Sequence, residues 1–295
     1  MNTISLKDMT SNNVNAISLK NVTKEYKGFT LDNISFDLPK GCIMGLVGEN
    51  GAGKSTLIKI ICGNVSMKNG GEISLLGEKN VENFFKLRQN IGIVPDEISF
   101  PHKFKVKHVD KMMSYVFERW DGKAFNDYVD RFEIPRHKKF KDYSLGMKKK
   151  LGIAVALSHN AELIILDEAT SGLDPVVRDD FLDILNDFTR DENHSVLFSS
   201  HIVSDLEKLC DYIAVLHKGK LIMCEEKDVL LDNYCMLRCS DEELRAVRTD
   251  AVVGKRESPY GVQAIVRREA VPGGADIGNV TIEDIFVYMV KGEIK

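Results

Sequence analysis

Apolar and polar residues alternate along "AISLKNVTKEY" (16–26) and "LDNISFDLPKG" (31–41), the period of two that predicts half-buried antiparallel strands. The next run, "GCIMGLVG" (41–48), drops the alternation and ends in glycine, as a central buried strand does. "KSTLIKIIC" (54–62) then has helical spacing and stops at Gly63, "GEISLLGEKN" (71–80) predicts a small strand pair, and "IGIVP" (91–95) a further buried strand. From about 105 to 160 the period changes. "VDKMMSYVFERW", "AFNDYVDRFEI" and "LGMKKKLGIAVALSH" predict amphipathic helices with no strand between them, an inserted lobe over about 96–160. "LIILDE" (163–168), "RDDFLDILNDFTR", "SVLFSSH" (195–201) and "YIAVLHKGKLI" (212–222) return to strand–helix alternation, which predicts a parallel sheet with crossover helices.

Beyond about residue 225 the periodicity weakens, "RESPYGVQAIVRREAVPGGADIG" is rich in turn residues, and "TIEDIFVYMVKG" predicts a last helix. At the other end "NTISLKDMT" (2–10) is echoed by "NAISLKNVT" (15–23), and only the second copy continues into patterned sequence. The expected division is an N-terminal extension (1–14), a main unit (15–224) and a small α+β accessory unit (225–295). A length of 295 residues agrees with one main domain plus an appendage, because single cores stop growing near about 250–300 residues.

Composition narrows the function classes. The 43% apolar and 28% charged fractions are those of a globular chain. Forty basic against 44 acidic residues leave a net charge of −4, so there is no overall basic field and no nucleic-acid partner is expected. The six cysteines form no C-x-x-C pair, which predicts idle reduced thiols and a cytoplasmic address. The start has no apolar leader, and nowhere do about 18 apolar residues run together, so a membrane role is expected to come through a partner.

The chemistry concentrates in "GENGAGKST" (48–56), which satisfies G-x-x-x-x-G-K-[ST] between an apolar strand and a helix. Gly48, Gly51 and Gly53 let the backbone curl so that the amides of Glu49, Asn50, Ala52 and their neighbours face a phosphate at the helix N-terminus. Lys54 can reach the β and γ phosphates, Ser55 can ligate Mg²⁺, and Thr56 completes the set. "LIILDE" places Asp167 at the end of a buried strand, expected next to the P-loop, to hold Mg²⁺ directly or through water. Glu168 points to another side and can orient or deprotonate an attacking water. "VLFSSH" repeats the pattern and offers His201 to a γ-phosphate.

In order and spacing, "GENGAGKST", "YSLGM" about 90 residues later, "LIILDEATSGLD" and "FSSH" resemble the ATP-binding cassette (ABC) ATPases over about residues 15–222. The fold expected is α/β: a P-loop NTPase core with a parallel sheet, an N-terminal antiparallel β subdomain, an inserted helical subdomain and a C-terminal α+β appendage. The resemblance implies ATP and Mg²⁺ as ligands, Tyr26 as the aromatic that stacks on adenine, and Asp174 in "SGLD" as a residue at the interface between two cassettes. "YSLGM" aligns with the family signature: Ser144 and Gly146 match, while Leu145 and Met147 replace glycine and glutamine. By itself Ser144 is a helix N-cap; in this company it implies an anion site that grips ATP held by another cassette. Asp96 stands where the family usually has glutamine, a position that contacts Mg²⁺ and the transport partner.

The spelling of the signature and the tail resembles the bacterial exporter branch. The function implied is ATP hydrolysis at two composite sites in a homo- or heterodimer of cassettes, driving export by a separate transmembrane permease at the inner face of the cell membrane. A ribosome- or DNA-acting ABC protein and a non-hydrolysing module are the rivals; Glu168 and His201 count against the second. The basic cluster 136–141, with Lys148, Lys149 and Lys150, reads as a solvated face.

Overall fold

The computed structural model describes residues 14–68, 70–79, 84–258 and 261–291, so the first copy of the N-terminal echo lies outside the described residues. β1 (Ile17–Tyr26) and β2 (Phe29–Leu38) form a hairpin in which Tyr26 opposes Phe29 beside the turn. β3 (Ile43–Gly48), buried at every residue, leads through the glycine-rich loop into α1 (Lys54–Ile61). β4 (Glu72–Leu75) pairs with the free edge of β1, and α2 (Phe84–Leu87) precedes β5 (Ile91–Val94). Helices α3 (Val106–Val116), α4 (Gly122–Arg131) and α5 (Leu145–Ala156) follow without a strand between them. Then come β6 (Leu163–Asp167), α6 (Pro175–Phe188), β7 (Ser195–Ser199), α7 (Val203–Leu209), β8 (Tyr212–His217) and β9 (Lys220–Glu226). The chain continues through α8 (Lys227–Asn233), β10 (Tyr234–Cys239), α9 (Asp241–Ala246), β11 (Val252–Ser258), β12 (Gly261–Arg267), β13 (Asp276–Gly278) and α10 (Ile282–Lys291).

Three sheets result. The central one has the order β5-β6-β7-β3-β8-β9, and all its pairings are parallel except the last. Successive side chains of its inner strands leave by opposite faces. Met44, Leu46, Leu163 and Ile165 join the antiparallel sheet β2-β1-β4 and α1 in one apolar cluster. Ile43, Val47, Ile164 and Leu166 join the helical lobe, α6 and α7 in another. Burying each such side chain contributes about 1.5–3 kcal/mol. That burial holds the strands in register, so the polar residues that follow them arrive together at one end of the sheet.

Two expectations are corrected. Asp167 does reach the P-loop, at Ser55, but not from a neighbouring strand: β7 lies between β6 and β3 and hydrogen-bonds to both. All three are buried at every residue, and nothing local in such strands specifies which pair. The second half of "YIAVLHKGKLI" is not a parallel strand but the return arm of a hairpin. Lys218 and Gly219, at φ 46° and 79°, make the two-residue turn that reverses the chain. A Cβ on Gly219 would lie 1.9 Å from the carbonyl oxygen of Thr30, and the Gly219 N–H donates to the P-loop carbonyl of Ala52 at 3.0 Å. The turn thus underpins the glycine-rich loop.

The C-terminal residues form an antiparallel sheet of order β11-β12-β10-β13 with a small cluster around Cys235, Leu237, Ala264 and Val266. Ile265, Ile282, Ile285 and Tyr288 belong instead to the large cluster that includes α7, so the appendage is packed onto the main unit. None of the six cysteines is paired, and burial pushes the Cys62 thiol up to about 12. Among the described residues no helix is long and apolar enough to cross a membrane.

Candidate active site

β3, β6 and β7 all end at the same edge of the central sheet, so their C-terminal residues surround the start of α1. The loop from Glu49 to Gly53 curls because Gly51 and Gly53 adopt φ 83° and 111°. Gly53 is the N-cap of α1 and offers no side-chain acceptor, which leaves the first-turn amides of α1 available to an anion. A Cβ on Gly48 would lie 2.6 Å from the Leu216 carbonyl, and one on Gly53 2.9 Å from Phe29, so both turns need glycine. The loop borders a cavity of about 620 Å³ lined by Glu49, Asn50, Gly51, Gly53, Lys54, Ser55 and Thr56, with Phe29, Asp96, Glu168, Ser171 and His201 opposite. Ala52 faces away and packs under the Gly219 turn.

Buried Lys54 donates to the Gly48 carbonyl at 2.7 Å and lies 3.4 Å from Oε1 of Glu168. Oε2 of the same carboxylate is 2.6 Å from Nδ1 of His201. Glu168 has φ 52°, the left-handed region, and its N–H donates to the carbonyl and hydroxyl oxygens of Ser199. One residue earlier, Oδ1 of Asp167 accepts from Ser55 Oγ at 3.1 Å and Ser199 Oγ at 2.8 Å. Burial pushes the Asp167 carboxyl up, the two hydroxyls pull it down, and Asp96 and Glu168 nearby raise it further.

These donors fit Mg²⁺. Ser55 and Asp167 present hard oxygens at hydrogen-bonding separation, and the buried carboxylate lacks a cation of its own. Among the described residues no group of three or more His, Cys, Asp or Glu is arranged as a cage, and Mg²⁺ characteristically takes one or two carboxylates and leaves the rest to phosphate oxygens and water.

Other predicted residues lie elsewhere. Ser144 N-caps α5, its Oγ accepting the Met147 N–H at 3.2 Å, and neither it nor Gly146 lines the cavity. Gly146 abuts the "SGLD" loop: a Cβ there would sit 3.0 Å from the Gly172 carbonyl. Asp174 caps α6 through Val177, ahead of Pro175, and is also outside the cavity. Tyr26 is 46% exposed with Lys24 Nζ 5.4 Å from its ring centroid; its hairpin partner Phe29 is the aromatic that reaches the cavity.

The solvated-face reading fails for Lys149. Its side chain is 1% exposed, and its ammonium donates to Oδ1 of Asp96 at 3.0 Å and to the backbone carbonyl of Glu168. Lys149 is buried in α5 together with Leu151, Gly152, Ile153, Ala154 and Ala156, so each lysine of the run has buried residues three and four positions on and the spacing marks none of them as the inward one. Ser199 holds both Asp167 and Glu168, and its one mark in the sequence is a hydroxyl at the end of a buried strand.

Residues 31–171 match the family described as ABC transporter. An uncharacterised ABC transporter ATP-binding protein of Bacillus subtilis, YhcH, is 31% identical over 287 residues, covering 93% of this chain and 91% of its own. The chain belongs to the ABC transporter family. The lantibiotic transport ATP-binding protein SrtF of Streptococcus pyogenes is 35% identical, with 72% of this chain and 91% of that one covered. A solved dimeric bacterial ABC transporter cassette superposes with a TM-score of 0.65 at 23% identity, covering 71% of this chain and 98% of the other, and shares the fold. The chain is an ABC ATPase subunit.

Proposed function

We propose that this ABC ATPase drives an exporter, with two cassettes closing on ATP so that Ser144 and Gly146 of one complete the phosphate site of the other. The observation that carries the reading is that Ser144 caps a helix outside the cavity formed by Lys54, Glu168 and His201 of its own chain. Ser144 Oγ takes the Met147 N–H, but the N-terminus of a helix still favours an anion, and the P-loop already supplies the anion cradle within one chain. A partner's γ-phosphate is the ligand that needs it.

The geometry supports roles for Lys54, Glu168, Ser55 and Asp167, and the family resemblance those of Tyr26 and Asp174. Lys54 exchanges the Gly48 carbonyl and Glu168 for phosphate oxygens and offsets their charge. Glu168, freed of Lys54 and held by His201, accepts a proton from water at the γ-phosphate. Ser55 and Asp167, with Asp96 alongside, would hold Mg²⁺, which when bound neutralises phosphate charge. Tyr26 receives the adenine, and Asp174 lies in the cassette–cassette interface. Export through a membrane-spanning permease, with the helical lobe as its contact surface at the inner face of the membrane, is supported by the lantibiotic transport name of SrtF and by the bacitracin transport name of an Enterococcus faecalis relative 34% identical over 70% of this chain. Those names favour a peptide antibiotic as cargo.

Mixing inactive Ser144→Arg and Lys54→Ala chains tests the shared site. One pairing joins an intact P-loop to an intact signature, so hydrolysis returns in the mixture. A mixture as inactive as its parts, under conditions where Glu168→Gln chains dimerise on MgATP, would falsify the composite site.

A further inference from the structure

Lys149 is the most deeply buried cation among the described residues, and what it touches joins three parts of the site. It rises from α5, the helix that Ser144 caps. Its ammonium meets Asp96, two residues past β5, and the carbonyl of Glu168, one residue past β6. A buried ammonium is retained only where partners replace its water, and here the partners are a carboxylate bordering the cavity and the backbone of Glu168.

We propose that Lys149 is a positioning residue for hydrolysis: its ammonium fixes the Glu168 backbone from the carbonyl side and supplies the counter-charge for Asp96 beside the phosphates. The inference rests on the reading of Glu168 as the base. Glu168 occupies left-handed backbone without being glycine, a conformation that persists where the surroundings over-determine it. Each of its polar groups is anchored: the N–H by Ser199, the carboxylate by His201, and the carbonyl by Lys149 together with the Ser171 N–H at 3.1 Å. Asp96 is 57% exposed and faces a cavity that admits a polyanion, so without Lys149 its charge would oppose the nucleotide.

The two roles separate by substitution. Lys149→Gln keeps a donor for Glu168 but loses the charge; Lys149→Met keeps the apolar stem and loses both. Because small displacements of a catalytic group are costly, Lys149→Met is expected to lower kcat on the order of 10-fold or more, while Lys149→Gln stays within roughly threefold of wild type. Both weaken equilibrium binding of a fluorescent ADP analogue, measured without Mg²⁺, by roughly threefold or more, the scale of a half-exposed charge pair. Adding Asp96→Asn to either restores that Mg²⁺-free affinity, because the charge left without its partner is gone. A packing role alone would give no such split and no restoration.

Wild-type kcat and affinity in both Lys149 variants, with Glu168→Gln inactive, would overturn the proposal and leave the base reading standing. A Glu168→Gln chain as active as wild type would instead remove the base reading. If Lys149→Met does not fold, Lys149→Gln with and without Asp96→Asn decides: restored affinity supports the counter-charge role, and unrestored affinity overturns it.

Discussion

Oε2 of Glu168 lies 2.6 Å from Nδ1 of His201, and the backbone N–H of His201 donates to the same oxygen at 3.2 Å. The carboxylate is thereby held by the end of β7, and its other oxygen faces Lys54. A base held in this way can take a proton without first paying to order itself.

Glu168→Gln is expected to lower single-turnover phosphate release on the order of 10²–10⁴-fold with nucleotide binding retained, the usual contribution of a general base. His201→Ala should cost less, because the carboxylate remains but is unheld. A Gln variant within about threefold of the wild-type rate would remove Glu168 from that role.

Asp167→Asn should abolish hydrolysis yet raise the melting temperature of the nucleotide-free protein. Burial holds the folded-state pKa of Asp167 above its unfolded value, so the wild-type chain loses stability as pH rises through that pKa. Asparagine removes the cost of the buried charge and can still accept from Ser55 and Ser199. The gain should be present near neutral pH and vanish below the usual carboxylate range, where Asp167 is protonated in both states. Thermal melts across pH, with and without Mg²⁺, check it.

Tyr26 and Phe29 oppose each other across a hairpin but should separate in binding. Tyr26→Ala is expected to weaken ATP binding by about 1–3 kcal/mol, the scale of aromatic–base stacking, and to leave inorganic tripolyphosphate binding unchanged. Phe29→Ala, which removes the ring packed against the Gly53 turn, should weaken both. Calorimetric titration with the two ligands distinguishes them, and equal effects of Tyr26→Ala on both would sink the adenine role.

Gly219→Ala should destabilise the fold by about 1–3 kcal/mol or more, since alanine at positive φ is strained and its methyl would strike the Thr30 carbonyl. Because Gly219 also supports Ala52, ATP affinity should fall with the melting temperature. An unchanged denaturation midpoint would show that the hairpin relaxes away from β2.

The sequence alone determined the parts whose chemistry is local. The glycines and Lys54 of the P-loop act within nine consecutive residues, and an apolar run that ends in carboxylates must leave them at a strand end whatever its neighbours. Helical and strand periods likewise marked the lobe and the core strands. Tertiary structure decided strand order, because β3, β6 and β7 are all buried at every residue and only packing places β7 between the other two. It decided the fate of "KKK" as well. Three adjacent lysines look alike in sequence, but α5 meets the sheet along one arc, and that arc carries Lys149 to Asp96 and Glu168 while leaving Lys148 over the ring of Phe140. The face a helix buries depends on partners far away in the chain, and here those partners turned one of three solvated charges into part of the site.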